Sequence, residues 1–198
     1  MADEKYIKSI KDQIWATRVS RVNAEMRLKS KESFIQAINI YYSCFAVFLS
    51  ICLLIKQDFV YSLLTLTMTI VLMISILYFK SLKYAERALD YRTNYTELQK
   101  LEFKLSHIEI TAEQIHFIEE AYCKLLAESE NHIEFDYLKT VAKSKEDFKK
   151  DRWSKQKANL YWWNLIWRLI IKTLCIILPI LLLFLAFCWK TNGWFNNL

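Results

Sequence analysis

A chain of 198 residues is long enough to bury a real core, but this one carries a single glycine and a single proline with a formal net charge of +6. Ordinary chains hold about 7% glycine and 5% proline, so hairpin-rich β folds are excluded and an almost wholly helical chain is predicted. With Gly193 as the sole glycine, no phosphate loop, dinucleotide fingerprint or nucleophile elbow can be built.

Taken in chain order, residues 4–33 repeat apolar positions at Ile7, Ile10 and Ile14. They then drift to Trp15, Val19, Val22 and Met26, which predicts an amphipathic helix. Two uncharged apolar runs follow, 36–55 (QAINIYYSCFAVFLSICLLI) and 59–79 (FVYSLLTLTMTIVLMISILYF). Each is long enough to cross a hydrocarbon core about 30 Å thick, and the three-residue break between them makes a tight antiparallel hairpin. Residues 80–145 read as cytoplasmic helices. The stretch LKYAERALDYRTNYTELQKLEFKL places Tyr84, Ala88, Tyr91, Tyr95, Leu98 and Leu105 on one seam that only Glu102 interrupts. That seam predicts the second membrane helix running on into the cytoplasm as a coiled-coil-like helix. Thr111 with Gln114 forms a capping box for a further helix bearing Ile115, Ile118, Tyr122, Leu125 and Leu126.

Residues 146–172 form a basic and aromatic juxtamembrane connector. Its charged part is expected to be a solvated basic face, with contact to anionic lipid as its functional side. Trp162, Trp163 and Trp167, with Arg168 and Lys172 one turn apart, suit a headgroup-level belt; the alternative is that Lys172 lines a water-filled path. A third span covers 173–189, with Pro179 expected to kink it, and 190–198 form a short external tail. The fold class is therefore an all-α membrane protein: a transmembrane helical hairpin continuing into a cytoplasmic helical bundle, plus a third C-terminal transmembrane helix.

Charge orients the chain. Eight basic residues precede the first span, one lies in the hairpin break, fifteen lie in 80–159 and one follows the third span. The N-terminus and the long middle region should therefore face the cytoplasm. The first apolar run begins behind those eight cations, so it is not a cleaved secretory signal. This topology also accounts for the excess of cations, leaving no ground for direct nucleic-acid binding. Of five cysteines, Cys44, Cys52, Cys175 and Cys188 lie in apolar spans and Cys123 lies outside. None has metal-ligand spacing, and small apolar fillers in a reducing context are expected.

The order of these parts resembles the SLATT superfamily, the SMODS and SLOG-associating two-transmembrane effector domains. A basic N-terminal helix with RVNAEMRLK, a two-span hairpin, AERALDYRTNYTELQKLEFKL and SENHIEFDYLK carry the likeness over about residues 5–145. The added C-terminal span is similar to a branch found beside defence reverse transcriptases. The resemblance implies a membrane-disrupting or pore-forming effector of a bacterial anti-phage system that kills or arrests an infected cell. It also implies a trigger from an operon partner such as a reverse transcriptase or a nucleotide second-messenger synthase.

Three function classes stand against one another. A homo-oligomeric pore in membrane lipid would use Gln36, Asn39, Ser43, Ser50, Ser62, Thr65 and Thr69 as lining, since three helices of one protomer cannot enclose water. For each hydroxyl, the simpler reading is a bond to its own helix and close packing. No span carries an ionisable residue at its centre, which argues against a proton pump or charge-coupled transporter. A membrane-bound enzyme would use Glu128, His132 and Asp136 of ESENHIEFDYLK (128–139), at i, i+4 and i+8. On one helix that set spans about 12 Å and cannot close on one ion unless the helix breaks, near Asn131. A non-enzyme without cofactor or metal is therefore expected, with Glu128, Asn131, His132, Asp136 and Tyr137 as a packed latch of the cytoplasmic bundle. The third class is a passive anchor or scaffold that recruits a defence enzyme.

Overall fold

A computed structural model describes residues 2–55, 58–107, 112–150 and 152–191. Every element among them is a helix: α1 (Ala2–Ile55), α2 (Phe59–Ser81), α3 (Tyr84–His107), α4 (Ala112–Glu128), α5 (Glu134–Lys143), α6 (Glu146–Lys149) and α7 (Lys155–Thr191). The 54 residues of α1 contain neither glycine nor proline, so nothing in the backbone stops the N-terminal helix from continuing into the first apolar run. Asp58, with extended backbone at φ −143°, caps α2 by accepting from the Val60 N–H at 3.0 Å.

The predicted continuation of the second membrane helix is corrected. α2 ends at Ser81 and α3 begins at Tyr84, because Lys83 adopts a left-handed conformation, φ 49°. A left-handed residue just past the last turn is a standard helix stop, here without the glycine that would have signalled it. Thr111 of the expected capping box, Lys56 and Gln57 of the hairpin break, and 192–198 of the tail lie outside the described residues.

The chain divides into two compact units, 1–31 with 84–164 and 32–83 with 165–198. In the first, Ile10, Ile14, Leu98, Leu105 and Ile118 form one buried cluster, with Ile7, Ile115, Tyr122 and Leu125 packed on it. Ala24, Leu28, Ala88 and Tyr91 form a second cluster beneath Tyr84. Each large apolar side chain so buried contributes about 1.5–3 kcal/mol. Val19 and Val22 are only half-buried and Met26 is exposed, contrary to the expected drift of the α1 stripe. The buried face from Ser20 onward is instead Ser20, Arg21, Asn23, Ala24, Glu25 and Leu28.

Among the described residues of the second unit, only Ala46, Leu49, Thr65, Met68 and Pro179 are buried. Three helical stretches among the described residues are long and apolar enough to cross a membrane, and 11%, 6% and 6% of their most apolar windows are buried within the protein. Leu54 and Ile55 are 86% and 84% exposed. So much outward apolar surface is stable in lipid and would aggregate in water. The protein is an all-α membrane protein.

Candidate functional site

The polar residues of α1 between Thr17 and Arg27 make a seam with α3, α4 and α5. Arg18 Nε donates to Glu102 Oε2 at 2.6 Å, which explains the one acidic interruption of the α3 stripe. Thr17 and Tyr122 share a hydroxyl bond of 2.8 Å, and Ser20 and Thr140 one of 3.0 Å. Asn23 Nδ2 donates to Thr140 Oγ1 at 2.9 Å and to the Asp136 carbonyl at 3.3 Å. Arg27 closes the seam: its Nε lies 3.0 and 3.2 Å from the two Asp136 carboxylate oxygens, and its Nη2 3.0 Å from Oδ2. The two side chains are 8% and 1% exposed, so this is a bidentate ion pair shielded from water.

ESENHIEFDYLK is not one helix. Residues 129–133 break it, and α5 restarts at Glu134 with Ile133 as a cap that offers no side-chain bond. No glycine or proline causes the break; groups from α1 and α3 hold it open. The Leu125 carbonyl, in the last turn of α4, accepts from Arg21 Nη1 at 3.1 Å and Asn94 Nδ2 at 2.8 Å. The Asn131 carbonyl accepts from the Tyr91 hydroxyl at 3.0 Å. Carbonyls at a helix C-terminus lack intrahelical donors, and a cation there also meets the negative end of the helix dipole. The break therefore exists because side chains 31 and 104 residues distant in sequence satisfy the carbonyls it frees.

The expected latch residues are thus divided. Glu128 sits on the exposed end of α4, 3.8 Å from Lys124, apart from the others. Asn131 contributes its backbone, and Asp136 is fully buried on Arg27. His132 is half-buried, its ring 6.5 Å from that of Tyr137. Glu128, His132 and Asp136 do not converge on one point as a ligand set: among the described residues no three His, Cys, Asp or Glu side chains do. Sequence reading missed Arg21, Arg27, Asn23, Tyr91 and Asn94. The available signal was the polar spacing 17, 20, 21, 23 and 27 on one stretch of α1.

Arg21 is the anomaly of the seam. It is 0% exposed, yet its Nε and Nη2 have no hydrogen-bond partner, and neither do Asn94 Oδ1 and His132 Nδ1. Burial lowers the Arg21 pKa from its ordinary value, against weaker raising effects of Tyr122 and Tyr91. Burial likewise lowers that of His132; Asp136 opposes this and the Arg21 charge adds to it. Desolvation also raises Tyr91. Buried orphans of this kind cost about 1–3 kcal/mol each, so they mark stored free energy rather than packing.

The connector is partly packed rather than wholly solvated. Phe148 meets the Trp15 ring edge-on at 5.0 Å, Arg152 lies 4.1 Å over Phe148, and Tyr161 stacks on Phe135 at 5.4 Å. Lys143, Lys145, Lys150 and Lys155 remain exposed. α7 begins at Lys155, so the aromatic run and the third span are one helix. Trp162, Trp163 and Trp167 are exposed, Arg168 is half-buried, and Lys172 Nζ lies 5.1 Å over the Phe34 ring.

Among the membrane hydroxyls, Ser50, Ser62, Thr65 and Thr69 each donate to a carbonyl three or four residues back, at 2.8–2.9 Å. Gln36 donates to Glu32 at 3.4 Å, while Asn39 and Ser43 are half-buried. The bonds between spans come from elsewhere. Pro179 has no N–H, so the carbonyl four residues earlier, on Cys175, loses its helical donor. The Tyr42 hydroxyl supplies it at 2.9 Å, and Tyr41 reaches the Ile176 carbonyl at 3.2 Å. In hydrocarbon such a carbonyl has no water to turn to. Tyr42→Phe should therefore cost about 1–3 kcal/mol and lower the melting temperature of the full chain in nanodiscs by several degrees; an unchanged melt would assign α1–α7 docking to packing alone.

Three helices apolar enough to span a membrane, with a helical unit built on a polar seam, define a helical integral membrane protein. The chain belongs to the SMODS and SLOG-associating 2TM effector domain family 5, whose model matches residues 3–185. The match runs through most of α7, so the third apolar helix lies within it. No curated protein and no solved structure matches the chain.

Proposed function

We propose that the protein is an oligomeric effector of a bacterial anti-phage system, seated in the inner membrane with its N-terminus in the cytoplasm. It permeabilises that membrane when an operon partner or a nucleotide signal acts on the cytoplasmic helices, and so kills or arrests the cell. The reading is non-enzymatic. The observation that carries it is the pairing of an effector-family match over residues 3–185 with three apolar helices few of whose residues are buried within one protomer. Helices so sparsely packed have surface left for other copies in the membrane.

Dye-loaded vesicles test this. The full chain with its cognate partner and signal should release dye at a rate that rises more steeply than linearly with protein-to-lipid ratio. Vesicles that stay tight under those conditions would sink the reading. A second reading, a passive anchor that recruits a defence enzyme, draws on the four membrane hydroxyls satisfied within their own helices. Partner capture with no change in permeability would favour it.

A further inference from the structure

The buried side-chain atoms that lack a hydrogen-bond partner among the described residues are Arg21 Nε and Nη2, Asn94 Oδ1 and His132 Nδ1. All belong to one place in the fold. Arg21 Nη1 and Asn94 Nδ2 donate to the same Leu125 carbonyl, at 3.1 and 2.8 Å, so the two side chains lie side by side. His132 is close enough for the Arg21 charge to bear on it. Native interiors leave few such atoms, so four gathered at one helix break call for a common cause.

Arg21 sets the chemistry. The N–H groups it leaves unpaired, Nε and Nη2, are the same two that Arg27 turns on Asp136, at 3.0 to 3.2 Å. That edge of a guanidinium presents two parallel donors, matched to two oxygens of a carboxylate or phosphoryl group. Of these two forks on α1, one holds a carboxylate of the chain; the other is wholly buried with no carboxylate bonded to it. A buried cation without a counter-charge is costly, and an anion bound to it recovers that cost. Asn94 and Leu125 also line a groove of about 250 Å³ between α3 and the end of α4. Three of its four carboxylates are neutralised in place, Glu130 by Arg87, Glu97 by Lys100 and Glu128 by Lys124, which leaves Asp90. Its lip is Ser129 and Glu130, in the stretch 129–133 that belongs to no helix and closes over Arg21.

We propose that Arg21, with Asn94 and His132 beside it, is an oxyanion-binding site at the α4–α5 break, taking a carboxylate or phosphoryl group on its Nε–Nη2 edge. Two oxygens of the ligand accept from the fork, and Asn94 Oδ1 accepts from a P–OH where the ligand carries one. The site is a property of the first unit alone and stands or falls apart from any permeabilising activity.

The test uses the full chain in phosphatidylcholine nanodiscs, with inorganic phosphate or acetate exchanged for chloride at fixed ionic strength. By mass action, the wild-type melting temperature should rise by about 3–5 °C for each tenfold increase in a bound probe beyond half-saturation. Arg21→Lys keeps the charge but not the fork and should lose that rise, as should Arg21→Met. Lys145→Gln with Lys150→Gln should keep it, which separates the site from the exposed lysines. Titration calorimetry should find a single site per wild-type chain and no binding heat with Arg21→Lys, a readout that does not depend on how stable the variant is. A response that needs Arg21 upholds the site: to phosphate alone it identifies a phosphoryl ligand, to acetate alone a carboxylate. Flat melts without binding heat for both probes overturn it. A response that Arg21→Lys retains, or that the lysine variant loses, overturns it in favour of diffuse anion binding at the surface.

Discussion

Asp136→Ala should lower the melting temperature of the full chain in lipid nanodiscs by about 10 °C, read from tryptophan fluorescence. The carboxylate is buried and receives three close approaches from Arg27, whose own side chain is 8% exposed. Removing it leaves a guanidinium in low dielectric without its counter-ion, which costs about 3–5 kcal/mol. For a chain of this size each kcal/mol is worth about 2–4 °C. Arg27→Met alone should cost as much, because it strands the carboxylate instead. Arg27→Met with Asp136→Leu should recover most of the loss, since neither charge is then left buried. The pair clamps α1 to α5 beside the helix break, so the single variants should also leak dye at a lower trigger dose. A melt within about 2 °C of wild type would mean that water reaches the pair and that it is no clamp.

The membrane spans and the first core cluster were legible because they rest on one-dimensional patterns. Ile7, Ile10 and Ile14 face Leu98, Leu105 and Ile118 at the spacings the sequence displays. The α1 stripe after Ile14 was misread because its partner there is polar. Ser20, Asn23 and Arg27 meet Thr140 and Asp136, so Val19, Val22 and Met26 turn away from the seam. Two breaks were not predicted, for a related reason, although one near Asn131 entered as the condition for a ligand set. Lys83 stops α2 and residues 129–133 stop α4 with no glycine or proline to announce it. The groups that hold the second break open lie on α1 and α3, and no local pattern encodes that distance. Pro179 was read as a bend, but its consequence is the carbonyl of Cys175 left for Tyr42, which could have been inferred from the missing N–H. Of the residues read as a latch, Asp136 and His132 lie at the seam with the arginines of α1, whereas Glu128 lies apart on α4.

Arg21→Met should do the opposite of Asp136→Ala and raise the melting temperature, by about 4 °C. The guanidinium is wholly buried and spends one N–H on the Leu125 carbonyl, leaving Nε and Nη2 unpaired. Two orphaned donors at about 1–3 kcal/mol each, with the desolvated charge behind them, outweigh one hydrogen bond and a helix-dipole interaction of about 0.3–2 kcal/mol. The carbonyl is not stranded by the change, because Asn94 still donates to it at 2.8 Å. Methionine keeps most of the apolar stem, so the α1–α4 packing persists. The pH profile supplies an independent readout. His132 is held below its ordinary 6.5 by burial and, secondarily, by the Arg21 charge. The unfolded chain therefore takes up a proton at this imidazole before the folded one does: stability is full above 6.5 and falls as pH drops through it. Without the Arg21 charge the depression relaxes, so the loss between about pH 7.5 and 5.5 should be shallower in Arg21→Met than in wild type. A variant that melts lower, with the wild-type pH slope, would show that Arg21 is paired in solution and stores nothing. If it melts higher, the seam is held by the satisfied Arg27–Asp136 pair and loaded by the unsatisfied Arg21 cation. A domain arranged this way gains by opening at the α4–α5 break, where Arg21 would meet water, and is kept from doing so by Arg27 and Asp136.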